Sequence, residues 1–276
     1  MKIILGTAQL MKNYGVKKDN ISSKELDKFF LKKRKFFHLV DTAESYENVY
    51  SRIRNYNLKK YGIITKTKID SNICDKILKS IKSLKIKSFN TILAHDENQL
   101  IGNDAKKNYK RLKSLKKKNF TKKIGVSIYS IKNCLKIINR FNFDVLQIPI
   151  NLFDKRFLDK NFLNLVKQKN IKLIYRSVFL QGLLTDQRLH KKIFEKKQNY
   201  IFKKYFDWLK KNKLKPVEAC IYFIKQNKIK NIVIGFYKLN EYKEVIKFIN
   251  KRNKILIPNF IKDQNDNNKI LRPDLW

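Results

Sequence analysis

Short apolar runs recur along the chain, and each breaks off at a polar residue or a glycine. "IIL" stops at Gly6, "FFHLV" at Asp41, "YGIIT" at Lys66 and "NTILA" at His95, while "KIGV" stops at Ser127, "FDVL" at Gln147, "KLIY" at Arg176 and "NIVI" at Gly235. Runs of this length, rich in Ile and Val, predict eight β-strands. Between them the apolar positions change to spacings of three and four, as in "CDKILKSIKSLKIK", "IKNCLKIINRF", "LDKNFLNLVKQKN" and "NEYKEVIKFINKR", which predicts amphipathic helices. The interval between the seventh and eighth runs holds two helices, about 193–212 and 216–226, and Pro216 suits the first turn of the second. Eight strands alternating with helices over 276 residues predict an α/β chain closed into a (β/α)8 TIM barrel.

Composition adds bounds to that picture. The chain has 43% hydrophobic residues, 4 Pro and 7 Gly, and it lacks a Pro-rich or Ser/Gly-rich linker and a solenoid repeat. A single domain over 1–276 is therefore expected, with 252–276 as a C-terminal tail near the substrate side. The opening "MKIILGTAQL" has too little apolar length for a secretory signal, and no stretch approaches the roughly 20 apolar residues of a membrane span. A cytoplasmic protein without membrane partners is expected. Cys74, Cys134 and Cys220 lie far apart and form no CxxC pair, which argues against a disulfide framework or a zinc site; no metal is expected. The net charge of +41 invites a nucleic-acid reading, yet the cations are mostly Lys, spread over every predicted helix as in "KKNYKRLKSLKKKNF". Scattered lysine is the mark of a solvated surface, so no specific nucleic-acid partner is expected. A monomer or weak oligomer is expected.

The polar residues at the strand ends share one location. A barrel of this kind builds its active site at the carboxyl ends of its strands, and Asp41, Lys66, His95, Ser127 and Gln147 stand at five consecutive ends. Tyr46 is expected to begin the helix after the second strand, near the same rim. A phenol has an unperturbed pKa of about 10; a neighbouring ammonium would lower it, and Asp41 would hold that ammonium in place. His95 could orient a carbonyl oxygen or share the proton. Such a set suits proton delivery to a carbonyl undergoing reduction. No GxGxxG or GxxxxGK occurs, so a Rossmann or P-loop phosphate site is excluded.

Taken in order, "LGTAQL", "VDTAESY", "TKTK", "LAHD", "KIGVSIYS", "LQIPINLFDKR", "QGLL" and "IVIGF" resemble the aldo-keto reductase superfamily from about residue 3 to residue 250. The resemblance implies hydride transfer from a nicotinamide cofactor to an aldehyde or ketone on a (β/α)8 barrel. It implies a catalytic tetrad of Asp41, Tyr46, Lys66 and His95, with Tyr46 as proton donor. Ser127 and Gln147 match the residues that hold the nicotinamide carboxamide, and Arg176, next to Ser177, takes the place of the residue that stacks on the nicotinamide. Gly6 and Thr7 join the cofactor set. The segment after Gly235 resembles the grip on the adenosine phosphates, with Lys238 for a 2′-phosphate and Glu241 for the adenine, so NADP(H) is favoured over NAD(H). The pattern departs at Met11, Glu47, Ile128 and Arg176.

The partner expected on this reading is a small-molecule carbonyl substrate, selected by loops 96–105 and 178–192 and by the tail. Two other classes stay open on the residues alone. Lys66 at a strand end could form a Schiff base, as in a lyase or aldolase, or the barrel could be a non-catalytic basic binding protein.

Overall fold

The computed structural model describes residues 1–12, 14–16, 21–31, 37–251, 255–273 and 276. Eight parallel strands close a barrel in chain order: β1 (Lys2–Gly6), β2 (Leu39–Asp41), β3 (Gly62–Thr67), β4 (Phe89–Ala94), β5 (Thr121–Ser127), β6 (Val145–Pro149), β7 (Lys172–Arg176) and β8 (Asn231–Ile234). All eight predicted strands are present. β2 is shorter than its apolar run: Phe36 lies outside the described residues, and Phe37 packs instead against the rings of Phe30 and Tyr61. β6 runs further than its apolar run, with Ile148 and Pro149 paired to Tyr175 and Arg176. Gln147 therefore sits inside a strand and not at its end.

The helices are α1 (Ser23–Phe30), α2 (Val49–Ile53), α3 (Ile73–Leu84), α4 (Ala105–Lys117), α5 (Ile131–Arg140), α6 (Lys160–Gln168), α7 (Lys196–Lys211), α8 (Pro216–Gln226) and α9 (Leu239–Asn250). Local chemistry sets several of their ends. Ser130 and Asp159 accept hydrogen bonds from the third residues of α5 and α6, as N-caps do, and Pro216 opens α8. Lys85, at φ 54°, ends α3 short of the predicted Lys87. The predicted end of α9 at Arg252 falls outside the described residues. No described helix is long and apolar enough to cross a membrane.

Two apolar layers follow from the strand alternation. Inside the barrel, Ile4, Ile64, Leu93, Val145 and Ile174 pack with Leu39 and Val233. β5 contributes Gly125 there, because a Cβ at that position would sit 2.1 Å from the Val145 carbonyl oxygen and 2.6 Å from Leu93 Cδ2. The larger layer lies between the strands and the helices. On α4 the lysines fall on the exposed face, while Ala105, Asn108, Leu112 and Leu115 face inward. Cys134 and Cys220 are buried and Cys74 is half-buried, each with a free thiol.

Candidate active site

The carboxyl ends of the strands open into a cavity of about 430 Å³. Register brings the predicted residues to it. Gly6 pairs with Asp41 across β1 and β2, and Ser127 pairs with Gln147 across β5 and β6. Asp41, Tyr46, Lys66 and His95 all line the cavity, as do Gly6, Ser127, Gln147, Arg176, Ser177, Gly235 and Glu241. Thr7 and Lys238 do not. Thr7 is buried and donates through both its amide and its hydroxyl to the Asp41 carbonyl, so it fixes the turn out of β1. Among the described residues, loop 96–105 contributes nothing to the cavity wall. Its buried Glu97 instead accepts from the amides of Tyr129 and Ser130 and from the Asn133 side chain, which pins the loop to the start of α5. The segment 178–192 does line the cavity, through Phe179, Gln181 and Leu189 among others. In the tail, Pro273 reaches the cavity wall, whereas 252–254 and 274–275 lie outside the described residues.

At the floor, Lys66 Nζ donates to Asp41 Oδ2 at 2.6 Å and to the Thr42 carbonyl at 3.1 Å. The second Asp41 oxygen accepts from Gln147 Nε2 at 2.7 Å. The Lys66 ammonium lies 5.3 Å from the centre of the Tyr46 ring. Tyr46 is presented by the turn before α2 and not by a helix. Its amide donates to Ala43, and Asn48 at φ 59° delays the helix to Val49. The ring meets His95 edge to face at 6.2 Å, and Ser45 holds His95 Nδ1 at 3.2 Å.

The electrostatics of Tyr46 run against the expectation from sequence. Burial, with the Asp41 carboxylate next, pushes its phenol above the usual tyrosine range. The Lys66 charge is already matched by Asp41 at hydrogen-bond distance, so little of it is left to favour a phenolate. Tyr46 therefore rests fully protonated. Burial, Lys66 and Arg176 together push the His95 imidazole down to about 4, so it rests neutral.

Several cavity residues were not singled out from the sequence. Tyr14 and Tyr129 line it beside Tyr46, and Gln9 lies where a Gly235 Cβ would be, its Oε1 at 1.7 Å from that position. "GTAQL" carried the only signal for Gln9. Arg176 lies over the Tyr129 ring at 3.8 Å and donates to the Ile128 carbonyl at 2.9 Å, so one departure from the family pattern holds another. Among the described residues, the Gln147 and Gln9 Oε1 atoms are buried with no hydrogen-bond partner. Buried acceptors of this kind are rare unless a ligand completes them, and Gln147 Oε1, beside Ser127, is suited to a carboxamide N–H. The nicotinamide half of a cofactor thus fits the residues present. At the far end the amides that start α9 are already engaged: Glu241 accepts from Tyr237 at 2.7 Å and Lys238 at 3.3 Å, and Glu25 of α1 accepts from Leu239 at 2.9 Å. Among the described residues, no three His, Cys, Asp or Glu side chains form a metal-binding group.

No curated protein matches the chain in sequence. Solved structures do match in fold. An aldo-keto reductase from Bacillus halodurans, in its holo form, superposes with a TM-score of 0.71 at 12% identity, over 96% of this chain and 95% of that one. The glycerol dehydrogenase from Gluconobacter oxydans gives 0.65 at 15% identity, over 92% and 87%. An aldo-keto reductase from a Medee basin deep-sea metagenome library gives 0.61 at 15% identity, over 96% and 90%. At such identities the likeness shows the barrel alone. The sequence itself carries the rest: the pattern of the Aldo/keto reductase family matches residues 2–254, and the chain belongs to that family of nicotinamide-dependent carbonyl reductases.

Proposed function

We propose that the chain reduces an aldehyde or ketone with NADPH in preference to NADH, Tyr46 giving the proton and Lys66, Asp41 and His95 setting its environment. The observation that carries this reading is a protonated, half-buried Tyr46 beside the closed Lys66–Asp41 pair and a neutral His95. A bound nicotinamide cofactor would supply the hydride that the carbonyl carbon receives. The carbonyl oxygen then gains negative charge, and a phenol held in its neutral form gives up its proton to that developing alkoxide. The Tyr46 oxygen then regains a proton from solvent, with Lys66 and the neutral His95 beside its ring. Gln147 Oε1 and Ser127 would hold the carboxamide, and Lys238, exposed at the turn before α9, would meet a 2′-phosphate. A Schiff-base lyase needs a neutral amine, and Lys66 is ion-paired at 2.6 Å. Nothing favours that reading or the binding-module reading.

Two measurements test the proposal. Titration with NADPH and with NADH, followed by cofactor fluorescence, should show the tighter complex with NADPH; absence of binding by either at high micromolar concentration sinks the reductase reading. Tyr46→Phe should keep cofactor affinity while turnover of 4-nitrobenzaldehyde falls by about 10²–10⁴. Undiminished turnover in that variant would remove Tyr46 from the chemistry.

A further inference from the structure

Ser45 shares the turn after β2 with Tyr46, and the barrel holds that turn by its backbone. The amides of Thr42 and Glu44 donate to the carbonyls of Ile64 and Lys66, each at 2.9 Å, so the pairing of β2 with β3 runs on past Asp41. The Glu44 carboxylate accepts from the Thr67 hydroxyl. Ser45 is therefore placed as firmly as the strand end, although its side chain is exposed. Its hydroxyl lies 3.2 Å from Nδ1 of His95, whose own amide donates to the Thr67 carbonyl at 3.0 Å. His95 is thus held through its backbone and through one nitrogen of its ring. The other nitrogen, Nε2, makes no hydrogen bond to a described residue. Neither does the Tyr46 hydroxyl, although the two rings meet edge to face and both residues line the cavity.

We infer that Ser45 is a positioning residue: its hydroxyl donates to Nδ1 of His95 and so keeps the single proton of the ring on Nε2. A neutral imidazole has one donor and one acceptor nitrogen, and the bond made by one fixes the role of the other. His95 rests neutral because burial, Lys66 and Arg176 all disfavour a second proton, so the choice between its two forms has consequences. With the proton on Nδ1, Nε2 would be a bare acceptor beside a phenol that rests protonated, and it would draw the proton that Tyr46 keeps for the substrate. No hydrogen bond joins the two side chains. With the proton on Nε2, the ring offers a donor to a carbonyl oxygen, which presents only lone pairs. In this last respect the inference deepens the reductase reading and rests on it; the bond from Ser45 to the ring does not.

The test reads the ring directly. In the chain isotopically labelled at its histidine nitrogens, long-range proton–nitrogen correlation spectra separate the two neutral tautomers, and of the three histidines His95 is the one whose signals vanish in His95→Gln. At neutral pH the wild type should show the His95 proton on Nε2. Ser45→Ala should move it to Nδ1 or to a mixture of the two forms, and Ser45→Thr, which keeps the hydroxyl, should restore the wild-type pattern. On 4-nitrobenzaldehyde, kcat in Ser45→Ala should fall by about threefold to tenfold, the worth of one such hydrogen bond, with NADPH affinity unchanged and Ser45→Thr recovering most of the rate. A wild-type proton on Nδ1, or an unchanged pattern in Ser45→Ala, would overturn the inference. A shifted pattern with undiminished kcat would remove Ser45 from the reaction and overturn it equally. If NADPH does not bind or no aldehyde turns over, the reductase reading fails by itself, and the spectra alone decide what Ser45 does to His95.

Discussion

Arg156 and Lys66 are both buried cations paired with a carboxylate, Asp154 at 2.7 Å and Asp41 at 2.6 Å. Their surroundings differ in whether the pair meets the cavity: Lys66 and Asp41 line it, and Arg156 and Asp154 do not. Arg156 gives two bonds to Asp154, one to Asp266 at 2.6 Å and one to the Leu271 carbonyl at 2.9 Å. Asp266 also accepts from Ser130 and from the first amides of α5, so this cluster ties the tail to the barrel. Lys66 uses two of its three N–H bonds, and both it and Asp41 form part of the cavity wall. A buried pair set apart from the cavity, with every guanidinium nitrogen engaged by the fold, holds the structure together. A pair with one proton left at a cavity wall is placed for chemistry.

Substitution sharpens that contrast. Arg156→Leu leaves Asp154 without its partner and Asp266 without its principal cation, so chemical denaturation should report a loss of about 3–5 kcal/mol. The folded fraction should keep its kcat; a fall in kcat at unchanged stability would move Arg156 into the reaction. The double variant Asp41→Asn with Lys66→Met should do the reverse. Removing both charges together leaves no lone buried ion, so stability should stay within about 1–2 kcal/mol of wild type. Turnover should nevertheless drop by about 10² or more, and wild-type turnover would break the comparison.

The smallest effect belongs to His95. Its imidazole is held at about 4 in the native state against about 6.5 in the unfolded chain. Between those values the unfolded chain carries more protons, so stability falls as pH is lowered through the window. His95→Gln should remove that part of the loss. Melting temperatures at about pH 7 and pH 5 should therefore differ less in the variant than in the wild type, and an identical pH dependence would show that the imidazole is not held neutral by its surroundings.

The residues by themselves determined the barrel and which polar side chains stand around its rim. Eight apolar runs separated by helical spacing leave few ways to bury both faces of every strand, and a closed parallel barrel puts the carboxyl ends of all its strands on one rim. Asp41, Lys66 and His95 were legible for that reason. What the sequence could not show is which partner each polar group takes. Gln147 sits two residues inside β6 and is turned by packing toward Asp41. Tyr14 and Tyr129 come from segments with no periodic signal, and Asp266 reaches Arg156 across 110 positions of chain. Glu241 folds back on its own helix start, although its position suggested a ligand. The charge state of Tyr46 also needed the structure, because it depends on burial and on the Lys66–Asp41 distance. Periodicity is a local property that a chain carries in its order of residues, whereas desolvation and pairing exist only once distant segments share one cavity.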